Sequence, residues 1–128
     1  MELRQINALS QRNTDIQGAL RRFCGNEALY VSCLGQFLQD KTMGDLNAAV
    51  KSEAWNDAFT LAHALKGLAG NMGFVPLMHS VGQLVVLIRG GRTKDIGECM
   101  LLVNSSYRDI TDAIRDNFTL TNTESKGK

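Results

Sequence analysis

Apolar residues along this 128-residue chain recur at intervals of three and four, with no sustained alternation of β-branched and polar residues. That spacing places them on one face of an α-helix and leaves no half-buried strand to build. The spacing predicts a first helical segment carrying Ile16, Ala19, Leu20 and Phe23, with Asp15 as its N-cap and Gly25-Asn26 as its stop. A second helix runs from about Glu27 on a stripe of Leu29, Tyr30, Cys33, Leu34, Phe37 and Leu38. The polar run Gln39–Thr42 breaks or kinks it before Leu46, Ala49 and Val50 resume the period. A third helix begins between Glu53 and Trp55 and ends near Gly73. The chain's single proline, Pro76, suits the first turn of a fourth helix, where its missing N–H costs nothing. Leu77, Val81, Leu84, Val85 and Ile88 line that helix as far as Gly90-Gly91. The last helix, about Lys94 to Phe118, presents Ile96, Met100, Val103, Tyr107, Ile110 and Ile114.

Four principal helices on short loops specify an all-α, antiparallel four-helix bundle with a short additional N-terminal helical segment. A chain this short cannot enclose two cores, so residues 1–118 are expected to form one domain. Beyond Phe118 the segment TLTNTESKGK has no apolar pattern and reads as a disordered polar tail over 119–128.

Charge narrows the partners. The chain has 14 Lys plus Arg against 13 Asp plus Glu, and neither half is strongly basic. Sequence-independent phosphate binding to DNA or RNA needs a basic field, so nucleic acid is not expected as a partner. The three cysteines, Cys24, Cys33 and Cys99, form no C-x-x-C pair and have no zinc spacing. Each sits among apolar residues in sequence and is expected to behave as a small hydrophobe. The start MELRQINALSQRN lacks signal-peptide architecture, and no apolar run approaches a membrane span. These features read as a soluble protein of a reducing compartment, the cytoplasm.

One stretch carries chemistry: Ala62-His63-Ala64-Leu65-Lys66-Gly67-Leu68-Ala69-Gly70-Asn71-Met72-Gly73. On a wheel with His63 at zero, Ala58, Leu61, Ala62, Leu65, Leu68, Ala69 and Met72 fall between roughly 140° and 260°, the face to be buried. His63 points the opposite way, with Lys66, Gly67 and Gly70 within roughly 60° of it. A glycine inside a helix costs about 1 kcal/mol against alanine. Close approach by a large partner to His63 is a reason to keep two of them bare. Phe59, about 40° from His63, suits an apolar docking rim. Gly73 reads as a helix end and His79 as an unspecialised surface residue, since no partner spacing makes it a metal ligand.

A neutral imidazole, the dominant form at cytoplasmic pH, is a good nucleophile toward phosphorus. Lys66, at i+3, reaches the same space and can stabilise the oxygens of an arriving phosphoryl group. Phosphoryl transfer is mainly positioning and charge stabilisation, so this short set of groups suffices when the donor brings its own metal. No metal site or cofactor is expected in the chain itself.

His63-Ala64-Leu65-Lys66-Gly67, followed by Asn71-Met72-Gly73, resembles the signature of histidine-containing phosphotransfer (HPt) domains, H-x-L-K-G and then an apolar-Gly pair. DIQGALRRFCGNEALYVSCLGQF (Asp15 to Phe37) and VKSEAWNDAFTLAH (Val50 to His63) are also similar to that family, so the likeness covers roughly residues 12 to 118. The resemblance implies a helical bundle without ATP or metal binding, not itself an enzyme. It would take a phosphoryl group from a receiver-domain aspartate and pass it to another. Its partners would be response-regulator receivers or a hybrid sensor histidine kinase. His63 then matches the phospho-acceptor, Lys66 the nearby cation and Gly67 the small residue permitting access. Arg89 falls where some members carry a further basic residue. With Phe59 and Gly70, Arg89 makes up the expected partner-binding set. Many members carry Glu or Gln where this chain has Val85, so that polar contact to the imidazole is missing.

Two other readings compete. A histidine-kinase dimerisation helix would want an acidic residue after the histidine, where Ala64 stands, together with a nucleotide-binding domain. A non-catalytic helical adaptor would leave His63 incidental. Four helices close a bundle unaided, so a monomer is expected.

Overall fold

Short connections govern how this chain returns on itself. The computed structural model describes residues 1–118, which form seven helices. They are α1 (Leu3–Ser10), α2 (Ile16–Arg22), α3 (Glu27–Gln39), α4 (Thr42–Lys51), α5 (Trp55–Met72), α6 (Val75–Arg89) and α7 (Thr93–Asn117). Among these residues the one β-like pairing is an isolated bridge between Thr14 and Phe74. Loops of two or three residues join α4 to α5, α5 to α6 and α6 to α7, so each packs antiparallel to its predecessor. The fourth rod is the broken helix α3–α4, and α3 touches both α5 and α7. A reciprocal amide pair between Asn47 and Asn104, 3.0 Å in each direction, ties α4 to α7. The expected helical bundle is therefore present.

The break between α3 and α4 has a local cause. Asp40 adopts an extended conformation and its carboxylate accepts the Thr42 N–H at 2.8 Å, restarting the helix rather than continuing it. Asn26, expected to help stop α2, instead caps α3 by accepting the Leu29 N–H at 3.0 Å. Asp15 caps α2 through the Gly18 N–H, as its position suggested.

The core is built from Leu9, Tyr30, Leu34, Leu46, Leu65, Phe74, Leu77, Leu84, Ile96 and Ile114, all essentially without solvent contact. Phe37 meets Phe74 edge-on at 5.0 Å between centroids.

The structure departs from the sequence expectations in several places. The N-terminal region carries two extra helices, not one. α1 was unforeseen because its start is a Glu2–Gln5 capping box rather than a Ser, Thr, Asp or Asn cap. Leu9 anchors it to the core beside α7. Leu29 is 47% exposed and not part of the α3 stripe, because the turn before it sets α3 with Tyr30 inward. Cys24 is exposed at φ +54° in the α2–α3 turn, so only Cys99 behaves as a fully buried hydrophobe. There burial also pushes the thiol pKa up. The expected polar tail, 119–128, lies outside the described residues.

Candidate functional site

Five interactions hold the C-terminal end of α5. Gly73 takes a left-handed conformation, φ +80°, just past the last turn. The Phe74 N–H donates to the Ala69 carbonyl at 2.8 Å and the Gly73 N–H to the Gly70 carbonyl at 3.2 Å, a Schellman closure. Remaining end carbonyls accept from elsewhere in the chain. The Arg22 guanidinium donates to Gly70 at 2.7 Å and Asn71 at 3.1 Å, and the buried Tyr30 hydroxyl donates to Met72 at 2.9 Å. A cation at a helix C-terminus also complements the helix dipole. Burial drives the Tyr30 phenol pKa up, which keeps it a neutral donor. α2 and α3 thus serve to fix α5, the helix that carries His63. Sequence reading missed Arg22 and Tyr30, because a side chain aimed at a distant carbonyl leaves no periodic trace.

Ala58, Ala62, Leu65, Ala69 and Met72 are buried, and His63 is exposed on the opposite face of α5. No hydrogen bond engages the imidazole among the described residues. Phe59 lies beside it, the two ring planes within 9° and their centroids 6.4 Å apart. Arg89, from the end of α6, places its guanidinium carbon 5.5 Å from the Phe59 ring centroid.

The glycines divide. A Cβ on Gly67 would meet nothing within 4 Å, so the surface one turn past His63 is open. A Cβ on Gly70 would stand 3.2 Å from the Met78 sulfur. The bare surface at Gly70, expected to admit a partner, is therefore filled from within by α6. Helix packing accounts for that residue.

Lys66 is exposed and joins no ion pair among the described residues. Its stem crosses α6 at Gly82, where a Cβ would be 3.6 Å from the lysine Cε. The two line an open groove of about 710 Å³ with Met78, His79, Gln83, Val86 and Leu87. Val85 is buried, and the neighbouring Val86, 64% exposed, flanks this groove instead. Gly82 and Val86 were not singled out from sequence. A glycine inside α6 with no turn to explain it was the available signal.

The site is thus a projecting imidazole on a braced helix, beside an unpaired lysine and an uncovered surface. A family model for the Hpt domain matches residues 34–117, well over half of the chain. The chain belongs to the Hpt domain family. The match begins inside α3, so α1, α2 and the first turns of α3 lie outside it, although the likeness read from sequence began near residue 12. No curated protein and no solved structure matches the chain.

Hpt domains serve histidine phosphotransfer in phosphorelays as carriers without kinase activity, working with receiver domains and kinases. In this Hpt domain no cluster of His, Cys, Asp and Glu suited to a metal ion occurs among the described residues. No helix among them is long and apolar enough to cross a membrane.

Proposed function

We propose that this chain is a phosphorelay intermediate in which His63 accepts a phosphoryl group from a receiver-domain aspartyl phosphate and delivers it to another receiver's aspartate. The observation that carries the reading is the exposed His63 on the helix that also supplies Lys66 and the open surface at Gly67. The lone pair of one ring nitrogen attacks phosphorus, a P–N bond forms, and the acyl phosphate P–O bond breaks. The donor's aspartate leaves as a carboxylate, while the second ring nitrogen keeps its proton through the step. Delivery is the reverse reaction on a second receiver. Lys66 stabilises the phosphoryl oxygens as charge shifts between donor and ring. Receivers approach over α5 and α6, with Phe59 and Arg89 at the edge of the contact. The chain acts as a monomer in the cytoplasm.

A two-stage chase tests the relay. Label from a phosphorylated receiver should appear on this chain and then leave it when a second, unphosphorylated receiver is added. A chain that never takes label is an adaptor, and one that takes label but cannot give it up is not an intermediate.

Two variants probe the neighbouring groups. Lys66→Ala should slow acceptance by about tenfold, the scale of one lost charge-assisted hydrogen bond, without abolishing it. An unchanged rate removes the lysine from the mechanism. Gly67→Leu should raise thermal stability slightly, since leucine is about 1 kcal/mol better than glycine in a helix and meets no neighbour here. The same variant should lose most of its transfer rate by obstructing the receiver. Normal transfer in a stabilised Gly67→Leu protein contradicts the access role.

A further inference from the structure

An imidazole that must meet phosphorus in line gains from being held in one rotamer, because the reacting atoms need close approach and alignment. A fully rotating ring spends much of its time misdirected. His63 has no polar restraint: its ring makes no hydrogen bond among the described residues, and Val85 is turned into the core. Phe59 lies against the ring instead, four residues earlier on the same helix.

Helix geometry favours this contact. Side chains lean toward the helix N-terminus, and the common χ1 wells lay a long side chain over the preceding turn. At 6.4 Å and 9° the two rings have a parallel, offset arrangement within the range aromatic pairs prefer. Phe59 is half-buried and packs against the core. Arg89 stands over it at 5.5 Å and has no carboxylate partner among the described residues. Its cation is thus available to the π face. The phenyl ring is steadied from α6 and lies flat beside the imidazole on α5.

We propose that Phe59, steadied by Arg89, is the positioning residue that holds the His63 imidazole in its transfer rotamer, replacing a polar partner on the following helix. The proposal rests on the reading of His63 as phosphoryl acceptor. It assigns Phe59 a task inside the chain, distinct from receiver docking.

Three-bond couplings from the backbone nitrogen and carbonyl carbon to the His63 Cγ report χ1 directly, with no phosphoryl transfer involved. In the unaltered protein they should be those of one rotamer, and the ring proton at Cδ2 should show a Phe59 ring-current shift. Phe59→Leu should average the couplings, erase the shift, and slow acceptance about tenfold at saturating receiver, with the half-saturating receiver concentration little changed. Phe59→Tyr should restore all of these, and Arg89→Gln, on the exposed surface, should move them part of the way. Should Phe59→Leu not fold, the Arg89→Gln couplings carry the test alone. Averaged couplings in the unaltered protein, or couplings unmoved by these substitutions, overturn the proposal even if transfer proceeds. So does an effect confined to the half-saturating concentration, which marks a docking contact. Failure of the unaltered protein to accept phosphate would instead strike at the carrier reading, whatever the couplings show.

Discussion

His63→Gln should yield a folded protein that takes no acid-labile label from a phosphorylated receiver. The amide of glutamine has no nucleophilic lone pair of imidazole type, so the P–N bond cannot form. Its shape and polarity suit an exposed helix position, and surface substitutions of this kind change stability within about 0.5 kcal/mol. Thermal unfolding should therefore coincide with that of the unaltered chain. The second of the two histidines supplies the control. His79 is also exposed, and it lines the groove beside Lys66, yet His79→Gln should label normally. Persistent labelling of His63→Gln would move the acceptor elsewhere. Loss of folding would make His63 a structural residue and remove the main argument for its chemistry.

Gly73→Ala should destabilise the protein severely, and here the cause is steric. The added Cβ would stand 2.5 Å from the Asp15 carbonyl oxygen, a backbone atom that cannot swing aside. It would also force an L-residue to φ +80°. The left-handed conformation costs roughly 1–2 kcal/mol, and overpacking against backbone adds about 1–3 kcal/mol. The sum, roughly 3 kcal/mol, corresponds to a fall in Tm on the order of 10 °C for a domain of this size. Gly91→Ala is the matched comparison: φ is +71° there, but a Cβ would meet nothing within 4 Å. It should lose only the conformational share, about 1 kcal/mol. Equal melting temperatures for the two variants would mean that the clasp between Asp15 and Gly73, closed by a 2.8 Å hydrogen bond, does not exist in solution.

Much of the bundle could be read from periodicity because α5, α6 and α7 are long and bury one continuous stripe. Their limits lie within a residue or two of the positions marked by Trp55, Gly73, Pro76 and Gly90. The break at Asp40 was visible as polar residues interrupting the stripe. Short elements were harder, since eight residues of α1 give barely two turns of pattern and the glutamate cap is uncommon. The face of α5 that shows His63 followed from counting at 3.6 residues per turn. Counting cannot show what α6 places over that face. Gly67 and Gly70 looked alike in sequence, and only Met78 from α6 distinguishes them. Similarly, the Arg89–Phe59–His63 row joins two helices through side-chain directions that no spacing encodes.

The most direct test is to locate the phosphate. After incubation with a phosphorylated receiver, the chain should be cleaved under alkaline conditions that preserve phosphohistidine, and the phosphate position read by fragmentation of its peptides. The account predicts a single acid-labile phosphate on His63. Phosphate on His79 or on a hydroxyl residue, or a chain that carries none while the receiver stays competent toward another acceptor, would contradict it.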